Sequence, residues 1–161
     1  MVYFYSDPHF GHQNIIKYTN RPFKTVEEMD KKLIDNWNSI VNKDDKVFVL
    51  GDFCFGKKER VKQVVSKLNG MIVLIMGNHD RHRTASWWRD CGFFQVIEYP
   101  IIYKDSYILS HEPVSLNEHM PYVNIHGHKH HLNIEGDSHI NVSVEQISYT
   151  PVPAHKIMQS N

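Results

Sequence analysis

Met71–Met76 is an unbroken run of six apolar residues. It is short for a helix and suits a strand buried on both faces of a parallel sheet. Parallel strands need long crossovers, so the flanking segments decide the topology. Upstream, Val2-Tyr3-Phe4-Tyr5 and Lys46-Val47-Phe48-Val49-Leu50 have the β-branched and aromatic composition of buried strands. Between them Val26, Met29, Leu33, Trp37 and Ile40 recur in steps of 3, 4, 4 and 3, one face of an amphipathic helix. Thr25 caps it, with Glu28 three residues later completing a capping box. Val61, Val64, Val65 and Leu68 predict a second helix over Lys57–Leu68, stopped by Asn69-Gly70. The first half therefore reads β-α-β-α-β, a parallel sheet with right-handed crossovers.

After a short helix at Ala85–Arg89 the rhythm changes. Phe94–Glu98, Ile101–Lys104, Tyr107–Ser110, Val123–His126 and His139–Val144 read as strands on short loops, with a hairpin turn at Lys104-Asp105-Ser106. They predict a second sheet packed on the first, in a single mixed α/β domain over residues 1–161. A chain of 161 residues can bury about 70% of its unfolded surface and needs no disulfide staples. Cys54 and Cys91 stand apart beside aromatic residues and read as buried, reduced thiols. The opening residues show no signal-peptide pattern, and no apolar run approaches the roughly 20 residues of a membrane span. A soluble, cytoplasmic protein is expected.

The polar residues are distributed with more purpose. Asp7 and His9 follow the first strand, Asp52 the second, and Asn78, His79 and Asp80 the third. His111 follows Tyr107–Ser110, and His128 and His130 follow Val123–His126. In α/β sheets, ligand sites collect beyond the carboxyl ends of the strands. Two carboxylates, one amide and four imidazoles (Asp7, His9, Asp52, Asn78, His111, His128, His130) are too many for one tetrahedral zinc. They suit two adjacent ions sharing a carboxylate, about 3.5–4 Å apart, as in sites that clamp the oxygens of a phosphoryl group. The imidazoles disfavour calcium and magnesium and point to manganese, iron, zinc or nickel.

In order, Asp7-Pro8-His9, Gly51-Asp52, Gly77-Asn78-His79-Asp80, His111 and Gly127-His128-Lys129-His130 resemble the signature of the calcineurin-like metallophosphoesterases. The resemblance runs from residue 7 to 130 and is nearest to the short prokaryotic and viral members. It implies two stacked mixed sheets flanked by helices, an αββα sandwich, with two divalent metals and hydrolysis of phosphate esters by a metal-activated hydroxide. It places Asp7, His9 and His130 on one metal and Asn78, His111 and His128 on the other. Asp52 becomes the bridge and His79 the catalytic histidine. The Asp-Arg that follows Gly-Asp in many protein phosphatases is replaced by Phe53-Cys54-Phe55-Gly56, which speaks against a phosphoprotein substrate.

Around this set His12, Arg21 and Arg81 are candidate substrate contacts, and Asp80 either orients His79 or caps the following helix. His126 and His131 read as supporting or surface residues. Only 30 residues follow the histidine tract, too few for the remaining ligands of a metallo-β-lactamase fold. Lys plus Arg equals Asp plus Glu at 18 each, which argues against a nucleic-acid-binding module working through a basic surface. The intact ligand positions argue against a silent protein-binding scaffold. The expected substrate is a phosphodiester, a nucleotide or a nucleic-acid end, with a small-molecule monoester as the alternative. Few cationic side chains stand near the motifs to meet a monoester's second charge.

Overall fold

The computed structural model describes residues 1–158. Its first sheet has the order β4-β3-β2-β1-β9, formed by β1 (Val2–Tyr5), β2 (Lys46–Val49), β3 (Met71–Ile75), β4 (Gln95–Ile97) and β9 (Val152–Pro153). β1 to β4 are parallel, and β9 runs antiparallel beside β1. The second sheet has the order β5-β6-β7-β8, from β5 (Ile101–Tyr103), β6 (Tyr107–Leu109), β7 (Val123–His126) and β8 (His139–Asn141). β5 and β6 form the expected hairpin, with Lys104 and Asp105 both at positive φ in its turn.

Side-chain alternation builds the layers. Tyr3 and Tyr5 of β1, with Val47, Val49, Ile72 and Leu74, face the helices. Phe4, Phe48, Val73 and Ile75 face Tyr107, Leu109 and Ile125 of the second sheet. Over the first face lie α2 (Val26–Ile40), α3 (Lys58–Lys67) and α4 (Ala85–Arg89). Met29, Leu33 and Trp37 of α2 are fully buried there, the Met and Leu side chains worth about 1.5–3 kcal/mol each. Thr25 caps α2 by accepting from the Glu28 N–H, while the Glu28 carboxylate reaches one residue further back, to the Lys24 N–H. A short α1 (Ile15–Tyr18) follows β1, and α5 (Ala154–Met158) packs Ile157 into the core between the sheets.

The structure alters two expectations. Phe94–Glu98 is not part of the second sheet: its middle, β4, joins β3 through the α4 crossover and extends the parallel sheet. The predicted strand His139–Val144 ends at Asn141, because the chain leaves β8 to run beside β1, where Ser143 bridges Ser6 and the Val144 N–H donates to Ser6 O. β9, α1 and α5 carried no periodicity long enough to read. No helix among the described residues is long and apolar enough to cross a membrane.

Candidate metal centre

The loops beyond β1 and β2 run together as they leave the sheet: the Asp7 N–H donates to Gly51 O and the His9 N–H to Asp52 O. Asp7, His9, Asp52, His128 and His130 all have φ between 50° and 67°. The left-handed region costs a residue with a Cβ about 1 kcal/mol or more. Half of the ten described non-glycine residues in that region are thus candidate ligands, and their backbone strain is concentrated at one place. The glycines before the motifs have a steric reason. A Cβ on Gly77 would lie 2.3 Å from Asp52 Oδ1, and one on Gly127 1.9 Å from Ser6 Oγ and 2.3 Å from Asp7 Oδ2.

These loops converge on Asp52 Oδ2, which lies 3.5 Å from His9 Nε2 and 3.4 Å from His111 Nε2. On one side, Asp7 Oδ1 is 3.8 Å from His9 Nε2 and 4.0 Å from His130 Nε2. On the other, Asn78 Oδ1, His111 Nε2 and His128 Nδ1 stand 2.9–3.2 Å apart. All seven expected ligands are therefore assembled in two groups that meet at Asp52. Asp7 Oδ1 and His9 Nε2 are buried with no hydrogen-bond partner. Burying such atoms unpaired is costly. A cation between them removes that cost, and neighbours in a shell with bonds of about 2.0–2.2 Å are separated by roughly the distances seen here. The donor set fits divalent metal.

The remaining atoms of these side chains are committed to holding them. Asp7 Oδ2 accepts from Ser6 Oγ, Ser143 Oγ and the His128 N–H at 2.7–3.0 Å. Asp52 Oδ1 accepts the His79 N–H. His111 Nδ1 is 2.7 Å from Leu50 O and His130 Nδ1 3.1 Å from Glu145 Oε1. A carbonyl and a carboxylate only accept, so both rings carry hydrogen on Nδ1 and turn Nε2 inward. A neutral His9 presenting its Nε2 lone pair carries its proton on Nδ1 and donates to His12 Nδ1 at 3.3 Å.

Charge follows the same pattern. Burial opposes the Asp7 carboxylate, but His111, His9 and His130 outweigh it and hold its pKa far below the usual range. Burial likewise opposes charge on His111, yet Asp7 and Asp52 raise its pKa to about 9.

His79 stands at the rim with its side chain 41% exposed and Nε2 3.9 Å from Asp52 Oδ2. Of the other expected contacts, His12 lies beside the site, lining the same cleft as His79, while both arginines are engaged by carboxylates. Arg21 is buried, donating to Asp7 O, Pro8 O and Glu145, so it braces the β1 loop and does not face solvent. Arg81 pairs both its terminal nitrogens with Glu112 and also donates to Met76 O. His12 stacks on Phe55 at 4.1 Å. Burial, then the imidazoles of His9 and His79, lower its pKa to about 4, which leaves it uncharged near neutrality. Asp80 accepts the N–H groups of Asp52, Phe53 and Gly77, neither orienting the His79 ring nor capping a helix. His126 is buried against Gly127 O, and His131 is exposed.

Sequence reasoning missed Glu145, which joins Arg21 to His130. It follows the strand predicted over His139–Val144, so it carried the strand-end signal that marked the other residues. A groove of about 900 Å³, lined mostly by charged residues of α2 and α3, holds none of the candidate ligands.

A family model for calcineurin-like phosphoesterases matches residues 1–157. An uncharacterized protein of Methanocaldococcus jannaschii is 43% identical over 169 aligned residues, covering 98% of this chain and 89% of its own. The Gene 66 protein of Mycobacterium phage L5 is 40% identical over 82 residues, 49% of this chain and 39% of its own. The crystal structure of a protein of unknown function from Aquifex aeolicus superposes with a TM-score of 0.75 at 26% identity, covering 100% of this chain and 99% of the other.

Proposed function

The chain belongs to the calcineurin-like phosphoesterase family, and on that premise we propose that it is a phosphodiesterase working with two divalent cations, manganese first among them. Asp7, His9 and His130 would hold one and Asn78, His111 and His128 the other, with Asp52 between. The observation that carries this reading is the meeting of both groups at Asp52 Oδ2, beside the unpartnered Asp7 Oδ1 and His9 Nε2. When bound, such a pair supplies Lewis-acid polarisation of a phosphoryl oxygen and lowers the pKa of water.

The chain's own residues do the rest. Asp7 and Asp52 set the negative charge of the site, and Glu145 and Leu50 O fix which imidazole nitrogen points inward. His79, on the rim, gives a proton to the departing oxygen, a role worth about 10²–10⁴ in rate. A diester is favoured over a monoester because Arg21 and Arg81 are already engaged by Glu145 and Glu112. Among the described residues no guanidinium lines the cleft, which leaves Lys129 as its one ammonium. A nucleotide or nucleic-acid end suits the open cleft lined by His9, His79, His128 and His130. One domain over 1–161 and a cytoplasmic location belong to the same reading. The family match to residue 157 and the free, buried Cys54 and Cys91 support it. Residues 159–161 lie outside the described residues.

The test is kcat/KM for bis-(p-nitrophenyl) phosphate against p-nitrophenyl phosphate with manganese at one pH. The diester should be the better substrate. A clear preference for the monoester would reverse the substrate assignment.

A further inference from the structure

A cleft of about 470 Å³ continues from the candidate centre, starting at His9, His79, His128 and His130. It runs between α1 and the turn over residues 128–132, and its far wall is of a different character. Tyr18 is 70% exposed and Leu132 60%, two large apolar side chains at one cleft, with the buried Ile15 beneath them. Isolated exposed apolar residues need no explanation, but a pair walling a cleft beside a centre of this kind offers surface to an occupant.

Both walls are fixed. α1 is anchored by buried Ile15 and Ile16, and Thr19 Oγ1 donates back to Ile15 O. The Leu132 N–H donates to Lys129 O, and Asn141 Nδ2 donates to both His130 O and Leu132 O. The Tyr18 ring stands edge-on to His12 at 6.2 Å, and His12 lies flat on Phe55. No carboxylate side chain lines the cleft, and Lys129 makes no ion pair among the described residues.

We propose that this cleft seats the organic group esterified to the phosphate, and that this group is a planar, uncharged aromatic ring of nucleobase size held against Tyr18 and Leu132, with Lys129 beside the adjoining anion. The proposal rests on the phosphoesterase reading above. An aromatic occupant is singled out because its faces match the phenol, imidazole and aliphatic walls, whereas a cationic one would meet Lys129 and an alkyl group would gain no ring-on-ring stacking with Tyr18. The pinned walls spare the binding step the ordering of a loop.

Calorimetry on the manganese-loaded protein compares adenosine 5′-monophosphate with ribose 5-phosphate, which carries the same phosphate without the base. The nucleotide should bind roughly tenfold or more tightly, in line with a base stacked on an aromatic side chain. Tyr18→Ala and Leu132→Ala should each erode that ratio, and Tyr18→Trp should restore or raise it. Tyr18 and Leu132 are largely exposed, so these variants should fold, as circular dichroism would verify. Equal affinity for the two ligands, no binding of the nucleotide, or a ratio untouched by both alanine variants would overturn the proposal. These arms read binding alone. A loaded protein that binds the nucleotide with the expected ratio yet hydrolyses no ester would instead sink the phosphoesterase reading.

Discussion

The Asp80 carboxylate accepts the backbone N–H of Asp52 at 2.7 Å, deep between the ends of β2 and β3. It also accepts from Phe53 and Gly77, so one buried side chain ties two loops together and sets where Asp52 presents Oδ2. Asp80→Ala would strand three buried N–H groups, at about 1–3 kcal/mol each before relaxation. We expect a loss of several degrees in Tm together with weaker metal retention. Asp80→Asn, which keeps one acceptor oxygen, should fall between. Unchanged Tm and metal content in Asp80→Ala would show that this tie is dispensable.

His79 should be separable from the ligand set. It is exposed at the rim and its side chain makes no described hydrogen bond, so His79→Ala should keep near-normal metal content. Turnover should fall by about 10²–10⁴. Loss of metal in this variant would make His79 a ligand.

Asp52 and His111 should differ in kind. Asp52→Asn removes the charge shared by both groups, so both cations should be held more weakly. His111→Ala should compromise mainly the one held with Asn78 and His128. Elemental analysis finding two tightly held metals in Asp52→Asn would rule out the bridging role.

Stability of the chelator-treated protein should depend on pH with a definite sign. His111 is raised from 6.5 to about 9, so its contribution is complete below about pH 6.5 and is lost as pH rises through 9. His130 is also raised: burial opposes its charge, but Glu145 and Asp7 outweigh it. Asp80 has the same sign at lower pH: burial and then Asp52 lift it from 3.8 to about 7, so its share is lost as pH rises from about 4 through 7 and is largely gone before His111 titrates. His9 and His128 are lowered, chiefly by burial, and penalise folding only below about 6.5. Tm should therefore fall between pH 6.5 and 9, and manganese should flatten that fall by taking the proton's place on His111. A flat Tm profile in the chelated protein would contradict this charge arrangement.

Much of this was legible because it depends on local pattern. The 3-4-4-3 spacing of α2, the apolar run of β3 and the strand-end positions of Asp7, Asp52, Asn78 and His111 are one-dimensional signals. What was not legible depends on distant pairing. Arg21 reads as an exposed phosphate contact until Glu145, 124 residues later, is brought against it. Asp80 adjoins His79 in sequence, yet its partners lie on the β2 loop and at Gly77. β4 was assigned to the wrong sheet because three residues carry no information about which edge they extend, and β9 has only two. The Gly-Asn-His-Asp run shows which residues are present but not which atoms are already spent on holding the loops.

The most direct measurement is a titration of manganese into the chelator-treated protein, following bound metal and hydrolysis of bis-(p-nitrophenyl) phosphate in the same samples. Two groups of ligands meeting at Asp52 require negligible hydrolysis without metal, a rise with loading and saturation near two equivalents per chain. Saturation of binding at one equivalent, or two bound equivalents with no hydrolysis of this diester or of p-nitrophenyl phosphate, would contradict a two-cation phosphoesterase.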